Sequence, residues 1–424
     1  MNVNKPPDTY LFDLACLTLW STTTLQSSLS PHTIMSSDIV DLTIDPFLPE
    51  DIKHNWIPLD GQSVSHLFQF TRYPLQHMLC YDSPNLKQLL HVEEVVNFDP
   101  RTLLQLGPPP QELSDKYKAA IKTTSLPICS FTLLPVSGHP VRLPIWVLDY
   151  WRELRRAMGY RHKWKKVLRW VGRVSELKSM EGICDQVMAG LSCFPWNGSN
   201  CTVHDMTSLL TDSYLSDFHI DYALKKTFYH HHNHYGDEIS NHHTFLTVSD
   251  LNSIVTAYAV NIPNARATYK HQQLLDIENK IMSGHIDSVA GVLHLTHHWT
   301  SLIVIFKPPK ILYGDSLGNK IPHKKASAFQ QWVCHMLSWS GHRIQESDIS
   351  IYQLPTTNQQ DLNSCGLFAL NAIHCHYLPQ NSSLLQPDVL SVAHCRMESA
   401  LDHLQDGAVS YRLQKINIIT NFMS

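Results

Sequence analysis

HHWTSLIVIFKPPKILYGDS, residues His297–Ser316, decides how the C-terminal half of this 424-residue chain folds. Its two apolar runs, HWTSLIVIF and ILYGDS, have the length and the β-branched content of strands, and KPPK between them is a turn by composition. His298 opens the first run, and a polar side chain ahead of an apolar strand asks for a reason. Asp315 ends the second run, between a glycine and a serine. A carboxylate at a strand end can reach an imidazole on the neighbouring strand without being buried in the core.

A second stretch, QQDLNSCGLFALNAI (Gln359–Ile373), places a Cys-Gly step ahead of an apolar helical run. Leu367, Leu370, Ala372 and Ile373 can supply the buried side of that helix, which puts Cys365 in its first turn. Ser364 reads as the N-cap, its hydroxyl accepting one of the orphan amides there. The partial positive charge of a helix N-terminus favours thiolate over thiol. Gly366 leaves room for a substrate backbone beside the sulfur. A thiolate nucleophile needs a general base and a group to orient that base. His298 and Asp315 are of the right type for both. Gln359, six residues before the cysteine, can aim a side-chain amide at a carbonyl oxygen under attack, together with backbone amides near Cys365. Taken singly, each of these residues also reads as satisfied polar packing.

Composition narrows the alternatives. With 43% hydrophobic residues the chain can build real cores, and 17% charged residues is below what disorder needs. A net charge of -4 does not describe a polyanion-binding molecule as a whole. The 10 cysteines are scattered without a CxxC pair, against a zinc ribbon or a compact disulfide scaffold and in keeping with a reducing intracellular compartment. No stretch approaches the roughly 18 apolar residues of a membrane span, and Tyr10–Trp20 makes a poor secretory signal because Asp13 interrupts it and no basic flank precedes it.

His-Trp opening an apolar strand, Asp-Ser after a second strand, then Gln and Cys-Gly before a helix resemble the ubiquitin-like-protein (SUMO) cysteine protease family. The order and separations of His298, Asp315, Gln359 and Cys365 are similar to that family's, over about residues 193–424. The resemblance implies an α+β, papain-like core, a central sheet with the cysteine helix packed on it. It implies His298 as general base, Asp315 as its orienter, Gln359 as oxyanion donor and Cys365 as nucleophile, with no metal or other cofactor. The reaction implied is hydrolysis after the C-terminal Gly-Gly of a ubiquitin-like modifier, SUMO foremost, either from a target lysine or from a precursor. SYLSDFHI (Ser213–Ile220) resembles the family's substrate-gripping helix start, which implies Asp217 and Tyr214 as substrate contacts and Trp299 as a wall of a narrow glycine slot. Two positions depart from the pattern: Ser364 stands where Asp is usual, and Tyr214 where Trp is common. The smaller ring puts the affinity for the modifier's tail in question.

Upstream, residues 1–140 read as a loosely organised α+β region, and 141–192 as a basic helical hairpin and linker. In LPIWVLDYWRELRRAMGYRHKWKKVLRWVGRV (Leu143–Val174), Val147, Trp151, Leu154 and Met158 share one helical face. Trp164, Val167, Leu168 and Val171 share another after Gly159, read as the break between two helices. Residues 151–178 carry 10 Lys/Arg against 2 acidic residues. That is a solvated outer face, or a surface for nucleic acid where tryptophan and arginine interleave. LPIWVLDYWREL resembles what precedes such protease domains in fungal, mobile-element-associated relatives. YHHHNHYGDEISNHH (Tyr229–His243) reads as a polar loop inserted in the protease domain, with transition-metal binding as the alternative. SSDIVDLTID (Ser36–Asp45) resembles a SUMO-interacting strand, or is an ordinary edge strand. Two other functions stay open at this stage: a catalytically silent modifier binder, and a DNA-associated mobile-element protein carrying a protease module.

Overall fold

Three strands run back and forth through the C-terminal half: β5 (Ser288–Leu295), β6 (His298–Phe306) and β7 (Pro309–Gly314). They belong to a computed structural model that describes residues 63–69, 86–96, 98–99, 103, 108–134, 139–174, 184, 187, 202–258 and 272–403 except 340, 342 and 381. The SUMO-interacting stretch Ser36–Asp45 lies outside the described residues.

The two flanking strands, β4 (His243–Phe245) and β8 (Ser350–Gln353), pair parallel with β5 and β7, giving a five-stranded sheet of order β4-β5-β6-β7-β8. The central strands are apolar almost throughout because both faces are covered. Successive side chains alternate between two cores, as the strand period of two requires. Ala290, Val292, Trp299 and Ile303 join one core with α7 (Cys365–Tyr377) and α3 (Asp217–Tyr235). Val289, Leu293, Leu302 and Val304 join the other. The helices on that second face are α4 (Val248–Tyr258), α5 (Gln272–Met282) and α6 (His323–Trp339). The arrangement is a mixed α+β sandwich with the cysteine helix on one side of a central sheet.

Among the described residues upstream, β1 (Leu90–His91), β2 (Ser130–Leu133) and β3 (Val141–Pro144) form an antiparallel sheet. It packs with α1 (Gln111–Lys122) and the first turns of α2 (Val147–Val171) around Phe131, Leu143 and Trp151. The expected hairpin is corrected here, because α2 is one uninterrupted helix of 25 residues. Glycine costs only about 1 kcal/mol relative to alanine inside a helix, and the buried stripe runs straight past it. Tyr150, Trp151 and Leu154 enter the upstream core, while Ala157, Trp164, Val167 and Trp170 enter the sheet's core. One helix therefore belongs to two hydrophobic cores.

The histidine-rich stretch is also corrected, since it is not an inserted loop. His230–His234 form the last turns of α3, Gly236 at φ 75° ends the helix, a short helix Asp237–Ser240 follows, and His243 begins β4. The helix continues because its face still has something to bury: Phe228 and His231 pack on the Tyr377 ring of α7. Among the described residues no group of three or more His, Cys, Asp or Glu is placed to hold a metal ion, and no helix is long and apolar enough to cross a membrane.

The continuity of α2 is testable at Gly159, whose added Cβ would meet nothing within 4 Å. Gly159→Ala should raise unfolding stability by about 0.5–1 kcal/mol in urea titration. A break between two helices at this glycine would make the same substitution destabilising.

Candidate active site

Register places the first two polar groups. Antiparallel pairing sets Ser301 opposite Gly314, so Asp315, next after β7, comes alongside the start of β6. His298 Nε2 and Asp315 Oδ1 are 2.7 Å apart, with the imidazole 12% exposed and the carboxylate 1%. The carboxylate also accepts the Leu317 backbone amide at 2.7 Å, the Tyr313 hydroxyl at 3.5 Å and a side-chain hydrogen bond from Asn319. Burial would raise its pKa, but these donors, His298 first among them, outweigh it and hold the carboxyl below its ordinary value. The hydrogen bond to Asp315, reinforced by the interaction with the Cys365 sulfur, pushes the His298 imidazole up to about 9. With Nε2 on Asp315, Nδ1 is the ring nitrogen left for the thiol.

Cys365 is the first residue of α7 and has no exposed surface. The N-terminus of a helix carries a partial positive charge, so the sulfur in the first turn sits at that end and close to an imidazole. Capping differs from expectation. Ser364 occupies the N-cap position, but its hydroxyl makes no cap hydrogen bond and donates to Asp361 Oδ2 instead. A carboxylate is the stronger acceptor and draws the hydroxyl proton. Asp361 Oδ1 accepts the amides of Asn363 at 3.2 Å and Ser364 at 3.0 Å, so this one side chain shapes the turn before Cys365. Gly366 has a different task as well. An added Cβ would lie 3.2–3.3 Å from Leu215, Ile220 and Trp299, so the glycine lets α7 close onto β6 and α3 rather than leaving space for substrate.

Gln359 is tied to the loop after Asp315 by two hydrogen bonds. Its backbone amide donates to Ser316 O at 2.9 Å, and its Oε1 accepts the Ser316 hydroxyl at 2.6 Å. Those contacts orient the amide with nitrogen away from Ser316. Nε2 donates to Asp361 O at 2.9 Å, and a side-chain amide has a second N–H to offer. The structure thus hydrogen-bonds His298 to Asp315 and brings Cys365 close to the same imidazole, with Gln359 fixed on the loop between β8 and α7.

The three expected substrate contacts are placed differently from one another. Trp299 is buried, donates its indole N–H to Leu215 O at 3.0 Å, and lies against His294. Tyr214 is 46% exposed one residue before that carbonyl, and Asp217 stands exposed at the first position of α3. A cleft of about 520 Å³ beside them is lined by Lys163 and Lys166 of α2 with Asp205, Ser213, Ser216 and His219. Sequence reasoning missed Ser316, Asp361 and Arg396. Arg396 left a readable signal, because Val392, Ala393, Arg396 and Ala400 recur at helical spacing and put an arginine on an apolar stripe.

Comparison with known proteins bears on the same half of the chain. No curated protein matches the sequence. Similar solved structures include a de-sumoylating protease, 16% identical with a TM-score of 0.40 over 55% of this chain and 97% of that one. Another is the SUMO protease Ulp1 with its catalytic cysteine oxidised to a sulfinic acid, 17% identical with a TM-score of 0.38 over 53% and 94%. A third is the C-terminal Ulp1 protease domain in complex with Smt3, the yeast ortholog of SUMO, 18% identical with a TM-score of 0.37 over 49% and 83%. Residues 223–403 match the family described as the Ulp1 protease family, C-terminal catalytic domain. Tyr214 and Asp217 precede that match. This chain therefore carries, over residues 223–403, a cysteine peptidase domain of the Ulp1 protease family.

Proposed function

We propose that this protein hydrolyses the bond after the C-terminal Gly-Gly of a SUMO-type ubiquitin-like modifier, with Cys365 as nucleophile, His298 as base and then acid, Asp315 as orienter and Gln359 as oxyanion donor. The observation that carries the reading is the His298–Asp315 hydrogen bond with Cys365 beside that imidazole at the start of α7, inside a domain of the Ulp1 family. Cys365 attacks the glycyl carbonyl, and its electrons pass to the carbonyl oxygen. That oxygen is met by Gln359 Nε2 and the first amides of α7. Collapse of the tetrahedral adduct expels the leaving amine, which takes its proton from His298. Water, deprotonated by the same imidazole, then releases the modifier from the thioester.

Asp315 supports this sequence by staying ionised and fully hydrogen-bonded, which fixes the ring with Nδ1 toward the sulfur. Tyr214 and Asp217, exposed at the start of α3, are the proposed contacts for the modifier's tail, and the buried Trp299 backs them through Leu215. We extend the proposal to both precursor processing and release from target lysines, in an intracellular setting. The stretch Ser36–Asp45 remains a proposed second grip on the modifier.

The basic face of α2 is less available to nucleic acid than its composition suggests. Arg155 is held by Gln111, Pro109 O and Ser114, Arg152 by Asp149 and Glu153, Arg156 by Glu153, and Lys163 by Asp205. The cations spent in this way are structural, and the modifier is the partner proposed.

Trapping with SUMO carrying a thiol-reactive C-terminal group tests the assignment. A covalent adduct should form with the wild type and be absent with Cys365→Ser, whereas a silent binder would give none with either. Gln359→Ala should lower kcat by about 10²–10³-fold, the usual effect of losing one oxyanion donor, while KM changes little.

The raised His298 pKa sets an alkaline limit. The imidazolium that pairs with the thiolate and protonates the leaving amine is present below about pH 9 and lost above it. The kcat/KM profile should therefore fall as pH rises through about 9. Asp315→Asn removes the main stabiliser of the imidazolium and should move that limb to lower pH, toward the ordinary histidine value. An alkaline limb unmoved by this substitution would refute the Asp315 role.

A further inference from the structure

Arg396 lies on α8 (residues 389–403) and is 1% exposed. Burying a guanidinium is costly unless its donors are satisfied. Here the contacts are backbone carbonyl oxygens rather than a carboxylate. Nη1 donates to Ser208 O at 3.1 Å, Thr211 O at 2.8 Å and Ser213 O at 3.0 Å, and Nη2 donates to Asn363 O at 3.1 Å. Nε has no acceptor among the described residues. An apolar side chain in its place would leave four backbone carbonyls without this donor, so the arginine serves the chain segments that carry those carbonyls.

Its partners matter for where they lead. Asn363 is two residues before Cys365. Ser213 is two residues before Leu215, whose carbonyl accepts the Trp299 indole N–H, and Trp299 adjoins His298. The planar fork therefore spans two segments that are distant in sequence: one ends at the nucleophile, and the other reaches the strand that carries the base. Asp361 shapes the nucleophile's turn from within, and Arg396 ties that turn to the rest of the site.

We propose that Arg396 is a positioning residue that fixes Cys365 relative to His298 by joining the Asn363 turn to the Ser208–Leu215 segment. The inference rests on the roles of Cys365 and His298 proposed above. Lysine keeps the charge but carries a single nitrogen, so it cannot reach both sides as the fork does. Charge alone should therefore fail to restore the geometry.

The test compares Arg396→Lys and Arg396→Met with wild type, using SUMO with a fluorogenic amide at its C-terminus. Thermal unfolding of each protein is recorded alongside. In folded variants kcat should fall by about 10–100-fold, the order expected for a nucleophile displaced by about an ångström, with KM changed by less than about threefold. Alkylation of Cys365 by iodoacetamide at pH 6, which depends on thiolate held by the imidazolium, should slow in both variants. A folded Arg396→Lys protein with wild-type kcat and wild-type alkylation would overturn the proposal. Failure of both variants to fold would assign Arg396 to stability and overturn it as well. Absence of hydrolysis and of Cys365 trapping in the wild type would instead defeat the proposed function itself.

Discussion

The antiparallel register between β6 and β7 is the constraint on which the site depends. Ser301 faces Gly314, and from that pairing the start of one strand and the end of the other fall side by side. A slip of one residue would turn every side chain of a strand to the opposite face, and His298 would lose Asp315. Burial guards against the slip. Leu302 and Val304 fill one core while Ile303 fills the other, so a slip would exchange side chains that are close-packed in two different cores. Gly314 contributes at the join, since an added Cβ there would collide with Thr356, Ser301 and Leu354 O. The chain approaches itself closely just where the carboxylate has to be delivered.

Cys365 arrives from another direction and needs its own fixing. Helix α7 lies on the sheet through Phe368, Ala369 and Ala372, with Gly366 permitting contact with Trp299 and Leu215. Its N-terminal turn carries a cluster of polar contacts. Asp361 gathers two amides and a hydroxyl, Gln359 is bound to Ser316, and Arg396 holds Asn363. Apolar burial sets the height of the helix over the sheet, and hydrogen bonds set the position of its first residue. The upstream region is joined to this body by α2, whose two ends sit in separate cores.

How far the sequence could be read follows from which interactions are local. Strand runs, the KPPK turn and the apolar helix after Cys365 are written in consecutive residues, so the α+β architecture with the cysteine helix on a central sheet was legible. His298, Asp315 and Cys365 stood out because each is at the edge of an apolar run, and Gln359 by its spacing of six residues before the cysteine. The helix break at Gly159 was misjudged because glycine's local cost is small beside the burial of Trp151 on one side and Trp164 on the other. The histidine stretch was misjudged because polar composition concealed a packed face that only Tyr377, far along the chain, completes. Ser364 reads as a cap in the sequence, but its hydroxyl turns to the carboxylate of Asp361 three residues away. Arg396 was overlooked, although its helical spacing among alanines and valine was visible, because its partners are carbonyls that no sequence pattern marks.

The proton inventory at Asp315 links geometry to chemistry. That carboxylate accepts from His298, Leu317, Asn319 and Tyr313, and burial pushes the Tyr313 phenol up to about 12, so the phenol keeps its proton across the working range. An anion supplied with so many donors has no reason to take a proton itself. The imidazole is therefore held by Nε2 in one orientation, and under the proposed function the proton exchanged with Cys365 would be carried on Nδ1. A ring free to rotate would divide its time between the carboxylate and the thiol, whereas a ring pinned at one nitrogen presents the other continuously. Under the proposed function the least reactive residue, the saturated and buried aspartate, would set the direction in which the reactive ones exchange their proton.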